Sequence, residues 1–240
     1  MKTLVITLFS TLFIISINVF AEDGTHTSAD APVNISAAGS ARPESPLHFG
    51  LAMSREGRAD EMAHVVKSPE VLGKIKEIFW AGDMDSHRVD SIEFLSSNQG
   101  TDQYRVESGY YTIKVSSTPV FNPGSAPSYK LAILDVQKGM EITPVKTTGG
   151  GLLPTREWFA RDMAQVIKNP KVLQKIKDFF WLGNKSAKYV DSINLVTING
   201  GGAEYLVKSG NCTINASSTT VLHPPSAPSS EIKVEEPVCH

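Results

Sequence analysis

Residues 61–80, EMAHVVKSPEVLGKIKEIFW, return 101 positions later as DMAQVIKNPKVLQKIKDFFW. The correspondence runs without a gap from Gly50/Gly151 to about Ile133/Val234. Between Glu61–Val120 and Asp162–Val221, 29 of 60 positions are identical. A repeat this long is a duplicated domain rather than a solenoid, whose units run roughly 20–50 residues. The chain of 240 residues therefore reads as two copies of one fold. Comparing the copies separates what that fold keeps from what each copy changes. It names no reaction.

Each copy opens with helical periodicity. In the second, Phe159, Met163, Val166 and Ile167 form an apolar stripe behind a Thr155 cap. In the first, the stripe is weaker because Arg58 stands in place of Phe159. A second helix follows at once. Ser68-Pro69 and Asn169-Pro170 each set a capping residue before a proline at the first helical position. Val71, Leu72, Ile75, Ile78 and Phe79 then share one face, and Gly82 and Gly183 stand where a left-handed C-terminal cap belongs. Beyond them the period falls to two. Strands are expected over 89–94, 103–107, 111–116 and 130–136, with turns at Asn98-Gln99-Gly100 and Ser108-Gly109. The predicted fold is α+β, a tandem duplication of a two-layer module. Each module is a tight helix pair followed by an antiparallel sheet of about four strands.

Met1 to Ala21 has the charge, apolar run and small-x-small ending of a signal peptide. Export to the periplasm or the extracellular space is expected. Residues 22–46 read as a flexible Ala/Ser/Pro-rich leader, 47–137 as the first module, 138–153 as a Gly-rich connector and 154–240 as the second module. Past the signal segment, no run approaches the ~20 apolar residues of a membrane span. Lys and Arg number 23 against 25 Asp and Glu, a near balance that argues against nucleic acid as a partner. Cys212 and Cys239 are the only cysteines. In an exported chain they are expected to form one disulfide rather than a metal site.

Candidate functional residues are sought first among positions common to both copies. Trp80 and Trp181 fall about 140° from the centre of the second helix's apolar face. They are either binding anchors or packed beneath a neighbouring helix or loop. Lys74 and Lys76 recur as Lys175 and Lys177, a basic rim for an acidic partner or a solvated helix face. Asp90-Ser91 recurs as Asp191-Ser192; the carboxylates are polar contacts or strand-entry devices bonding backbone amides, with a lysine as possible partner. No histidine is common to both copies, and neither a nucleophile elbow nor a phosphate loop is present. The reading is an exported, non-enzymatic protein with no cofactor that binds a protein or surface partner as an inhibitor, adaptor or envelope component. One alternative is a hydrolase whose asymmetric site draws on His64, Asp85, His87 or His223. Another is a structural protein that forms oligomers. The loops that differ between copies, at His87/Lys188, Arg88/Tyr189 and Tyr110/Asn211, are where unlike ligands would be met.

Overall fold

A computed structural model describes residues 54–139, 145–148, 154–221 and 229–240. The expected signal peptide, the leader, most of the connector and His223 lie outside the described residues. The elements run α1 (Arg55–Lys67), α2 (Pro69–Trp80), β1 (Ser91–Asn98), β2 (Thr101–Ser108), β3 (Tyr111–Val120), β4 (Ser128–Lys138) and β5 (Lys146–Thr148). They continue α3 (Arg156–Ile167), α4 (Pro170–Trp181), β6 (Ser192–Asn199), β7 (Gly202–Ser209), β8 (Cys212–Val221), β9 (Ser229–Val234) and β10 (Val238–Cys239).

The helix boundaries follow local chemistry. Ser54, Ser68, Thr155 and Asn169 each accept a backbone N–H from the first turn of the helix they precede. At the other end of α2 and α4 the chain stops in a Schellman turn. Gly82 and Gly183 both have φ 107°. Asp83 N–H reaches the Ile78 carbonyl (3.4 Å) and Asn184 N–H the Phe179 carbonyl (3.0 Å).

Two separate four-stranded sheets are not what forms. The strands make one sheet in the order β10-β8-β7-β6-β1-β2-β3-β4, with β5 also on β6 and β9 also on β8. All pairings are antiparallel except β5 on β6. The join is β1 against β6, with Ile92 opposite Ile193 and Ser91 and Glu93 opposite Asn194 and Ser192. Phe94 N–H bonds the Asp191 carbonyl and Leu195 N–H the Asp90 carbonyl, both at 2.8 Å. The physical reason is edge cover. A module standing alone would leave β1 with a row of unpaired backbone groups, and the other half's first strand satisfies those of residues 91–94. The expectation of a tight α1–α2 pair is corrected in the same way, because the helix most closely packed on α1 is α3. Part of the connector is also strand, as Thr147 and its neighbours run parallel to β6.

The helices lie over the sheet face that carries the core. Along β2, Asp102, Tyr104, Val106 and Ser108 are buried while Gln103, Arg105 and Glu107 are half-exposed on the other face. Met62, Val66, Ile75 and Ile92 join Met163, Ile167, Ile176 and Ile193 in a single apolar cluster that crosses the join. The two outer strands differ. β4 is unbroken, whereas Pro237, standing where β4 has Val136, cannot donate a ladder bond and divides β9 from β10.

Candidate functional site

The ends of α2 and α4 carry the largest exposed apolar side chains beside the loops that follow them. Trp80 is 73% exposed, Trp181 71% and Leu182 84%, with Met84 at 68%. Neither indole is packed beneath a helix or loop, so that expectation is overturned. Each lies edge-on to the preceding phenylalanine, Trp80 to Phe79 at 5.6 Å and Trp181 to Phe180 at 5.9 Å between ring centroids. The off-face angle read from the sequence is the geometry that points them outward.

The lysines beside them divide into two kinds. Lys74 is paired with Glu77 on its own helix (2.6 Å), and Lys175 with Glu236 beyond β9 (2.8 Å). Lys76 and Lys177 are exposed, with no ion pair among the described residues. Among the described residues, the basic rim common to both halves is therefore reduced to Lys76 on one and Lys177 on the other.

Beside the end of α2 lies a shallow groove of about 440 Å³ lined by Phe79, Met84 and His87 and, from the start of the second half, Pro154 to Glu157. His87 is fixed on both sides. Its Nδ1 donates to the Met84 carbonyl (3.1 Å) and its Nε2 accepts from Arg88 (2.6 Å). Burial, reinforced by the Arg88 charge, lowers its pKa from the ordinary imidazole value. A neutral ring with both nitrogens engaged is a poor general base. The corresponding place in the second half is occupied differently. Lys185 replaces Met84, lies 4.4 Å from the Phe180 ring and donates to the Phe180 carbonyl (3.2 Å).

Asp90 and Asp191 are brace points for the hairpins. Asp90 accepts Gly109 N–H (2.7 Å) and Asp191 accepts Gly210 N–H (2.6 Å), each at the β2–β3 or β7–β8 turn. Burial raises both carboxyls above their usual range, offset in part by those amides. The expected lysine partner is corrected: Asp90 pairs with Arg88 Nε at 2.7 Å. Arg88 and Tyr189 also leave the set of ligand-facing residues, because both serve the join. The Arg58 guanidinium lies 5.1 Å from the Tyr189 ring and 3.6 Å from Phe94, while Arg88 lies 5.7 Å from Phe159. Of the histidines named for a hydrolytic site, His64 stacks against Tyr129 (5.3 Å between centroids), whereas His87 stands in the loop after α2.

Sequence reasoning missed a buried polar cluster under α1 and α3. In the second half Asp162 accepts hydrogen bonds from Tyr205 (2.8 Å), Ser218 (2.5 Å) and Ser230 (2.8 Å). In the first half Glu61, fully buried, faces Asp102, Tyr104 and Ser117, and neither of its oxygens has a hydrogen-bond partner among the described residues. Arg58 approaches Asp102 at 3.5 Å without hydrogen-bond alignment. Burial raises the Glu61 pKa to about 7. The Asp102 charge adds to the rise, while the Arg58 charge offsets part of it. The signal was present in the sequence: an acid at 61/162, a tyrosine at 104/205 and a serine at 117/218 are common to both halves. The sulfurs of Cys212 and Cys239 stand at bonding distance (2.04 Å), joining β10 to β8. Comparison with protein-family models, curated proteins and solved structures finds no match.

Proposed function

We propose that this chain is a tandem duplication acting as an exported, non-enzymatic interaction protein, whose contact points are the apolar tips at Trp80 and Trp181. The observation that carries the reading is the exposure of both indoles at equivalent positions. An indole in water forgoes the burial that tryptophan side chains usually obtain, and contact residues of this type supply much of the energy of protein interfaces. The join through β1 and β6 supports a rigid mount for two such tips rather than two modules on a free linker. Engagement of both His87 nitrogens weighs against the hydrolase alternative. The test is capture from the native envelope or medium by wild-type protein and by a Trp80→Ala/Trp181→Ala double variant. Exposed positions tolerate truncation, so the variant is expected to melt with the wild type. Its capture of partners is expected to fall about 30-fold or more, the effect of losing an interface anchor worth about 2 kcal/mol. Unchanged capture by the folded variant would defeat the proposal.

A further inference from the structure

Taking the exposed tryptophans as contact points, as proposed above, we infer that one partner is a second copy of this chain. The copies dock head to tail, with Trp181 and Leu182 of one molecule seated in the groove at Phe79, Met84 and Pro154 of the next. Three observations converge. First, the two halves have become donor and acceptor. In the first half Phe79 lines the groove, whereas in the second half Lys185 covers the equivalent Phe180 ring, and Trp181 and Leu182 project beside it.

Second, the charges are complementary. The loop after α2 carries Asp83 and Asp85 where the loop after α4 has Asn184 and Ser186, and Met84 and His87 give way to Lys185 and Lys188. Glu157 adds an acid at the groove, partly offset by Arg156 at 3.7 Å. An apolar recess with Asp83 and Asp85 in the loop beside it therefore meets an apolar projection with Lys185 and Lys188 in its loop, which favours encounter and sets orientation. Third, the two features lie on opposite flanks. α2 packs toward β4 at one edge of the sheet, and α4 is tied through Lys175 to Glu236, beside β9 and β10 at the other edge. One molecule cannot fill its own groove, and a contact between unlike surfaces continues into a chain or closes into a ring.

Sedimentation velocity on the full chain, over a micromolar to near-millimolar series, tests this. Wild-type protein is expected to associate with rising concentration, and less so at high salt. Trp181→Ala removes the projection, and Met84→Lys gives the groove the lysine found in the second half. Each variant alone is expected to associate at least tenfold more weakly, while Trp181→Phe retains most of the association. An equimolar mixture of the two is expected to form dimers and nothing larger, because one groove and one projection survive between them. A wild type that stays monomeric throughout overturns self-docking, whatever foreign partners the tips capture. So does undiminished association of Trp181→Ala, or a mixture that recovers no dimer. Loss of foreign capture in the Trp80→Ala/Trp181→Ala variant belongs to the interaction proposal alone and leaves this result unmoved.

Discussion

At positions 58 and 88 the first half carries two arginines, and at the equivalent 159 and 189 the second carries two aromatics. Across the join each arginine finds an aromatic of the other half, Arg58 with Tyr189 and Arg88 with Phe159. A first half paired with itself would set Arg58 against Arg88, so the exchange selects unlike halves. Tyr189→Arg should therefore lower stability by about 1–3 kcal/mol in urea unfolding, more than Tyr189→Phe, which keeps the ring. Glu61 gives a second prediction at this scale. It faces Arg58 on its own helix, Asp102 and Tyr104 on β2 and Ser117 on β3, with Tyr129 on β4 coupled to it. Its pKa rises from 4.5 to about 7 on folding, so the folded state keeps a proton that the unfolded chain releases. Its contribution is full below pH 4.5 and declines as pH rises toward 7, by about 3 kcal/mol in all. Glu61→Gln should remove that decline. If unfolding of wild type and variant changes equally between pH 5 and pH 8, the buried acid is not its source.

The elements themselves were largely legible, because caps, turns and periods act over a few residues. Ser68, Thr155, Asn169, Gly82 and Gly183 do what their chemistry implies. The Ser-Gly turns were legible as turns, but not the reason for their glycine. Gly109 has φ 54°, and a Cβ there would meet the Ser86 backbone nitrogen at 2.7 Å. Gly109→Ala should thus cost about 2–4 kcal/mol, combining left-handed strain with a clash against backbone. A thermal shift no larger than that of an exposed loop substitution would contradict this. Reduction of Cys212–Cys239, which closes a separation of 27 residues, should cost roughly 3 kcal/mol on the chain-entropy account. The pairing of β1 with β6 was not legible. Strand edges are recognised by backbone hydrogen bonds, which leave little trace in side-chain pattern, and Ile92 reads alike in a central strand or at an edge.

At the scale of the whole molecule, the repeat suggests two bodies and the core forms one. Residues of both halves meet in a single apolar cluster beneath α1 and α3. Calorimetry should accordingly record one cooperative transition with matching calorimetric and van't Hoff enthalpies; two resolved transitions would show the halves to be independent. The outward face of the tryptophans followed from helix geometry, but which loops face solvent and which face the join depended on this long-range closure. The register of β1 on β6 has a practical corollary. β5 pairs with β6 on the second-half side of the connector, so severing the polypeptide between Gly139 and Val145 interrupts no strand pairing among the described residues. The severed protein becomes a two-fragment system held by Ile92 opposite Ile193 and by the exchanged arginine and aromatic contacts. Such fragments would serve as a split reporter, each assembling with its complement in preference to itself.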